Sequence, residues 1–599
     1  MKNKKVISLA GALTFVMLGS TAQAQMFQNS NTACETEALA TQNGAQSIAC
    51  KYHHGIVDFD GSGFADCVAE DADWNTAGQD NTSILLNNGS GVSCGSGAGQ
   101  FAAAVNYAED NSSSGTNTIA TVMGAPLSSG GRSSVLVPYV NLPANVAIDT
   151  PNSSGVFPGT PTYVSIFGIF SNGYSASSVN RTAAVLDCNN DGFQDEVIVG
   201  EAEASIAAIR SNILQVLVND HAGSATVTDV GVLVITNNTG PSAALAVGDF
   251  NHDGNADVVV STDVKAGPVD QQVLTCIGDG ACGFTCNSVV DVVLANPGTT
   301  VPDISVPTVA AGDFNGDGYD DVVIGFRNGV TGFSGLQYYF NKPSAPNTFE
   351  SPVSVAVTDA TGGFPANITT GYFNNDSIVD VAATLSGGRD SGSVQVVTSN
   401  GSGGLNNSLQ LNFTSNPSTD VVNQAWSLDA ADFDHQGCDD IAALATNGQD
   451  VRSVYIFMNT VETLTVNAGS AETVSGSSVT LNGTCTLNPE DTTTTASSIV
   501  PAWTVVSGPA GASLTNAGTL TPTLNVTSNG TYVLQLSCSS QCVSATTSTV
   551  SITVNDRFLE GSGLNGCALN MLAAESSLWT YGAMFFSMLT MLGIRRRFK

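Results

Sequence analysis

Residues 313–321 read DFNGDGYDD, and the apolar run VVIG follows at 322–325. The same nine-residue pattern stands at 249–257 (DFNHDGNAD), 187–195 (DCNNDGFQD) and 58–66 (DFDGSGFAD). YFNNDSIVD at 372–380 and DFDHQGCDD at 432–440 are weaker copies. Successive starts lie 129, 62, 64, 59 and 60 residues apart. The first gap is double the others, so a degenerate copy belongs near residue 122. GAPLSSGGRSSVLV at 124–137 aligns there with GDFNHDGNADVVVS at 248–261. This alignment puts Ala125, Leu127, Ser129 and Ser133 in the places of the lost acids.

Seven units at a period of about 62 residues indicate a solenoid, a propeller or an array. Each unit reads as several short strands, which fits a four-stranded blade better than one strand per turn. The ends of the array agree. From Asp432 to Thr460 there are 29 residues and from Gln25 to Val57 there are 33, together one period. An N-terminal strand is therefore predicted to complete the last blade and close the ring, removing exposed sheet edges. The expected fold is all-β, a seven-bladed β-propeller over residues 25–460.

The loops carry the chemistry. Hard divalent cations such as calcium take six to eight oxygen ligands. A tight turn can offer side-chain oxygens from positions 1, 3, 5 and 9 and a backbone carbonyl from position 7, with glycine at position 6 for the bend. The expected ligand sets are Asp58, Asp60, Ser62, the carbonyl of Phe64 and Asp66; Asp187, Asn189, Asp191, the Phe193 carbonyl and Asp195; Asp249, Asn251, Asp253, the Asn255 carbonyl and Asp257; and Asp313, Asn315, Asp317, the Tyr319 carbonyl and Asp321. Asp432, Asp434 and Asp440 form a fifth, weaker set, with Gln436 at position 5. Tyr372 and Ser377 degrade the copy at 372. The expectation is about four calcium ions, with a fifth at 432–440. An EF-hand fits poorly, because a β-branched strand follows each loop and no Glu stands at position 12. Metal-free Asx turns are the alternative, but they would leave clustered carboxylates without counter-charge.

The motifs and their period resemble the FG-GAP or VCBS repeats of integrin α-subunit propellers and many bacterial surface proteins. The resemblance covers roughly residues 40–460. It implies a calcium-bearing propeller that works as a binding or adhesion module.

Composition narrows the partners. The chain has 17 Lys and Arg against 51 Asp and Glu, a net charge of -34. Seven of the bases (Lys2, Lys4, Lys5, Arg595, Arg596, Arg597 and Lys599) lie in the terminal segments. Such a surface repels nucleic acid and anionic lipid and attracts cations, so a nucleic-acid partner is excluded. With 42% hydrophobic residues the chain can bury a core, unlike an acidic disordered chain. Thirteen cysteines suit an oxidising compartment. Cys276, Cys282 and Cys286 read as one local disulfide plus a partner elsewhere.

The ends read as export and anchoring signals. MKNKK precedes an apolar run at 6–19 and an A-x-A site, so residues 1–24 are expected to be a signal peptide cut after Ala24. At the other end GSGLNGCALN (561–570), an apolar stretch at 578–594 and RRRFK at 595–599 follow in order. The apolar stretch is long enough for a short membrane span, with the basic tail cytoplasmic. The arrangement resembles bacterial C-terminal sorting signals of the Gly-Cys type. That resemblance implies Cys567 as the processing or anchoring point in a linker at 557–577, with a sorting protease as partner. A plain tail anchor is the alternative. The body is expected at the cell surface or envelope, membrane-anchored or released.

Residues 463–556 lack the loop motif and alternate as a β-sandwich does. The run W-x-x-x-S-G-P at Trp503–Pro509 and Gly530-Thr531-Tyr532 resemble PKD-like immunoglobulin-fold modules of surface proteins. Trp503 is expected in the core, and Cys485 is expected to bridge to Cys538 or Cys542.

No HExxH or P-loop motif is present, and no GxSxG reads as a nucleophile elbow and no GxGxxG as the turn after a strand. Of the five histidines, His252 and His435 fall at loop position 4, where an exposed side chain is expected, and His53-His54 reads as strand. The chain therefore reads as a non-enzymatic surface protein recognising an extracellular protein or carbohydrate. An extracellular hydrolase or lyase on a propeller scaffold is the alternative, which requires acids or bases converging at one mouth of the ring. A structural surface-layer component is a third reading.

Overall fold

The computed structural model describes residues 34–38, 47–71 (54 excepted), 81–87, 105–108, 121–127, 132–138, 145–152, 157, 162–165, 183–202, 211–219, 227–235, 239–264, 271–292, 308–327, 334–357, 364–386 (375 excepted), 392–413, 424–446 (436 excepted), 452–459, 463–488, 499–540 and 543–555. The predicted signal peptide with Ala24, Cys567, the apolar stretch at 578–594 and the basic tail lie outside these residues. No helix among the described residues is long and apolar enough to cross a membrane.

The described chain is all-β. Residues 34–459 form seven four-stranded antiparallel sheets and a short hairpin. In the fifth sheet the strands Val309–Gly312, Asp321–Arg327, Ser334–Tyr339 and Val353–Ala356 follow one another in chain order. The nine-residue loop joins the first strand to the second. The seventh sheet takes Gln424–Ala431, Asp440–Thr446 and Arg452–Phe457 from the C-terminal side. Its fourth strand is Cys34–Ala38, paired antiparallel with Cys34 opposite Ile456.

Successive sheets pack face to face in a propeller-like arrangement. Apolar side chains alternate along each strand and join neighbours into shared cores. Ala310, Val323, Leu336 and Tyr338 of the fifth sheet pack against Ile368, Val381 and Ala383 of the sixth. Ile48, Cys67 and Ala69 of the first sheet pack against Ala442, Leu444 and Ile456 of the seventh. The first strands touch in sequence from the first sheet to the seventh, and the seventh's touches the first's. They surround a cavity of about 490 Å³.

The structure corrects the register of the degenerate copy. Gly312 pairs with Asp321, and Gly248 with Asp257, so position 9 lies opposite the residue before position 1. In the second sheet Ala125 pairs with Ser134. That loop therefore runs from Pro126 to Ser134, one residue later than the alignment of 124–137 proposed. Ser133 stands at position 8, not 9. With no acids to anchor it, the sequence alignment slipped by one.

Residues 463–555 form three further small sheets. Trp503, Leu524, Tyr532, Leu534, Leu536 and Ile552 lie in one buried core. A disulfide joins Cys485 to Cys538. The Tyr532 hydroxyl donates to the Ser528 carbonyl (2.7 Å).

Candidate metal centres

Six of the seven loops begin with a buried anchor. Position 2 is Phe59, Phe250, Phe314, Phe373 or Phe433, all essentially inaccessible, with Cys188 at this place in the third sheet. The position-2 amide donates to Oδ2 of the position-9 Asp: Phe250 to Asp257 at 2.9 Å, Phe314 to Asp321 at 3.1 Å, Phe433 to Asp440 at 3.0 Å. The other oxygen of that Asp accepts an amide from the end of the third strand, as Asp321 does from Asn341 (2.7 Å) and Asp66 from Asn87 (2.6 Å). The position-9 carboxylate thus ties the loop to its own sheet as well as facing the loop's interior.

Positions 1, 3 and 5 curl around the turn. Asp313 Oδ2 accepts the Gly318 amide (2.8 Å), Asn315 Oδ1 accepts Asp317 (2.9 Å), and Asp317 Oδ1 accepts Tyr319 (3.0 Å). The same pattern recurs at Asp249, Asn251 and Asp253 and at Asp187, Asn189 and Asp191. At 58–66 the equivalent bonds come from Asp58, Asp60 and Ser62. Carboxylate oxygens of Asp58, Asp60 and Asp66 lie within 4.8 Å of one another, as do those of Asp432, Asp434 and Asp440. Tyr372 removes the first acid from the 372 copy, yet Asn374, Asp376 and Asp380 keep the turn.

The electrostatics suit a cation. Burial raises the carboxyls of Asp66 and Asp257 to about 7, Asp195 to about 6 and Asp321 to about 8. Repulsion from the other loop acids adds to this, and the amide bonds oppose it. Asp380 and Asp440 are pushed well up for the same reason. An all-oxygen donor set, part-buried and anionic, is what a hard divalent ion stabilises.

Three features escaped the sequence. First, position 4 as well as position 6 adopts positive φ: Asn190 (58°), His252 (59°) and His435 (57°) do so beside Gly61 and Gly316. Asn, His and Gly tolerate this left-handed conformation best. Second, position 7 acts through its side chain. His435 stacks on Phe64 (4.1 Å between centroids), His252 meets Tyr319 (5.0 Å), and Asn190 donates to Asn255 (2.7 Å). Position 4 of one loop thus touches position 7 of the next, and Gly61 beside Arg132 repeats the rule. Third, an Asn ending the third strand donates to the position-2 carbonyl of the preceding sheet. The pairs are Asn87 to Phe433 (2.8 Å), Asn219 to Leu127 (2.8 Å), Asn341 to Phe250 (2.7 Å) and Asn459 to Phe373 (2.9 Å).

Between the third and fourth sheets the Asn place is Gly278. There the Cys282 amide donates to the Cys188 carbonyl (3.2 Å), and a disulfide joins the same two residues. Cys276 pairs locally with Cys286.

Family models match two of these segments. Residues 305–336 match the FG-GAP repeat and residues 187–260 the FG-GAP-like repeat. The chain carries FG-GAP repeats. The FG-GAP loops at 187–195, 249–257 and 313–321 lie within the matched spans. No curated protein matches the chain. Among solved structures, an Agrocybe aegerita lectin described as recognising non-reducing terminal N-acetylglucosamine is 16% identical, with 66% of this chain and 91% of that chain covered (TM-score 0.42). A Penicillium chrysogenum α-L-arabinanase complexed with arabinobiose is 10% identical, with 56% and 93% covered (TM-score 0.33). The PKD domain from KIAA 1837 protein is 25% identical, with 16% and 92% covered (TM-score 0.13).

The cavity enclosed by the first strands also gathers polar groups. Lys51, His53, Asp320, Tyr372, Asp429 and Asp439 line it. Most are engaged. Asp429 accepts the amides of Cys50 (2.9 Å) and Lys51 (3.2 Å) and the Thr369 hydroxyl (3.0 Å). Asp320 accepts the Asp249 amide (2.7 Å), Asp439 the Tyr372 amide (3.0 Å), and Lys51 Nζ donates to the Thr370 carbonyl.

Proposed function

We propose that this chain is a calcium-stabilised cell-surface binding or adhesion protein that recognises an extracellular carbohydrate or protein. Its body is a closed seven-bladed propeller over residues 25–460, carried on a PKD-like immunoglobulin-fold module at 463–556. A leader removed after Ala24 exports it. A Gly-Cys sorting motif at Cys567 and the membrane segment at 578–594 hold it until a sorting protease acts. The observation that carries the reading is the convergence of loop oxygens without counter-charge, repeated on successive sheets. Cys34–Ala38 on the seventh sheet supports ring closure.

Calcium acts as a staple in this reading. Extracellular modules bind it at ~10⁻⁴–10⁻³ M. At ~1 mM calcium, a ~10⁻⁴ M site adds about 1.4 kcal/mol, and four add about 6 kcal/mol. The test is isothermal calcium titration with thermal unfolding, then glycan- and protein-array binding with and without chelator. Uptake of about four ions with calcium-dependent binding is expected. No uptake would sink the metal assignment and the adhesion reading with it.

A hydrolase or lyase is the second reading. The gathering of Asp320, Asp429, Asp439, Lys51 and Tyr372 on the cavity favours it. The inter-sheet bonds of these residues give them a structural role without chemistry. Turnover of a polysaccharide that disappears in Asp429→Asn, with folding intact, would replace the binding reading.

A further inference from the structure

The seam between the second and third sheets differs from the others. At three other seams one hydrogen bond recurs. The position-8 side chain accepts the position-1 amide of the preceding sheet: Ser133 from Asp58 (3.0 Å), Asp320 from Asp249 (2.7 Å) and Asp439 from Tyr372 (3.0 Å). In the third sheet position 8 is Gln194, and position 1 of the preceding loop is Pro126. Proline has no N–H to give. Gln194 Oε1 is buried without a hydrogen-bond partner.

Two residues on, Glu196 occupies position 10. Its six counterparts are Cys67, Val135, Val258, Val322, Val381 and Ile441, all buried and apolar. Glu196 is 1% exposed, and neither of its carboxyl oxygens has a partner. Gln215, fully buried, has neither its amide oxygen nor its nitrogen satisfied. Glu196 lies opposite Leu217, and Gln215 opposite Ile198. Ile198 and Leu217 pack on Met123, Leu136, Val146 and Ile148 of the second sheet. By alternation Gln194, Glu196 and Gln215 face that sheet too. Glu196 and Gln215 are diagonal cross-strand neighbours, about 7–8 Å apart, within reach of long side chains.

These side chains bring four orphan oxygens and one orphan amide nitrogen to a single apolar seam. Buried polar groups cost free energy unless partnered, and buried charge costs more. An excess of acceptors is relieved by a cation. One carboxylate with neutral amide oxygens balances a single positive charge, whereas a divalent ion would leave net charge buried. The second sheet is also the one whose loop has lost its acids.

We propose that Glu196, Gln194 and Gln215 form a site for a hard monovalent cation, sodium in an extracellular setting, that fastens the second sheet to the third. This site is separate from the FG-GAP loops and does not depend on their occupancy.

The experiment compares the full chain with Glu196→Gln and Glu196→Leu, all in saturating calcium. Melting is recorded in sodium chloride and in N-methyl-D-glucamine chloride at equal ionic strength. Calcium bound per chain is counted by mass spectrometry. The wild type is expected to melt about 2–4 °C higher in sodium, with both variants insensitive to the exchange and unchanged in calcium content. Loss of one calcium per chain in the variants would overturn the monovalent assignment. A wild type indifferent to sodium, with Glu196→Leu melting higher in both salts, would show an unfilled polar defect and overturn the site. If Glu196→Gln fails to fold, Glu196→Leu, which fills the seam with carbon, carries the comparison.

Discussion

The loops of the second and fifth sheets occupy the same place in their sheets and share almost no side chains. The fifth reads Asp313 to Asp321 and offers four side-chain oxygens. The second reads Pro126 to Ser134 and offers no carboxylate. Yet Ala125 pairs with Ser134 as Gly312 pairs with Asp321. Leu127 accepts a strand-end Asn just as Phe250 does. Ser133 bonds the preceding loop as Asp320 does. The acids are therefore not what places a loop. Strand pairing, the position-2 residue and the inter-sheet bonds do that, and the acidic set is an addition that the second sheet lacks.

Removing calcium should separate the two kinds of loop most strongly. Chelation is expected to cost about 6 kcal/mol at ~1 mM free calcium, with hydrogen exchange rising at 313–321 and not at 132–134. Equal protection at both loops would break the comparison. The pH dependence should also invert. In the chelated protein the position-9 carboxyls titrate at about 6 to 8, above their unfolded value of about 4. Their stabilisation is present in the protonated state and is lost as pH rises through 6–8. Acidifying the chelated protein from pH 8 to 5.5 should therefore raise its melting temperature. Acidifying the calcium form should lower it, because protons displace the ion. A fall in both would contradict this account.

Asp321→Ala, measured in chelator, leaves the Phe314 and Asn341 amides unpaired and should cost about 3–4 kcal/mol. Ser134→Ala in the degenerate loop should cost under about 1 kcal/mol. Comparable losses in urea titrations would mean that the buried Asp is no staple. Asn341→Ala removes a donor from the Asp320 carbonyl and leaves the Phe250 carbonyl with the Asn347 amide, an expected loss of about 1–3 kcal/mol. An unchanged denaturation midpoint would remove the strand-end Asn from the seams. The smallest effect is expected at Ser377, which holds φ 65° where other loops have glycine. Ser377→Gly should stabilise by about 0.5 kcal/mol, and a lower melting temperature would show that the serine makes a compensating contact.

Much of this was legible because turn chemistry and strand alternation are local. The DxDxDG spacing marks the turn, and the apolar run after it marks a strand packed on both faces. The one-period sum of the two ends foretold a strand such as Cys34–Ala38 on the last sheet. Where the acids vanish, the local signal vanishes with them, and the register of 124–137 was misread by one residue. The role of position 7 was half-read: its carbonyl was noticed, while its side chain meets a residue 65 positions away at Asn255 and 371 away at Phe64. Cys188 illustrates the same limit, since its partner Cys282 lies 94 residues on.

The all-β class and the oxygen-rich loops can be read from the chain because each depends on neighbours within a few residues, and the period can be read because the motif recurs in recognisable form. Which sheets touch, which Asn clamps which carbonyl, and why Glu196 lies unpartnered in an apolar seam are visible in the folded chain alone. Those facts come from side chains distant in sequence and brought face to face by packing, and no local pattern encodes them.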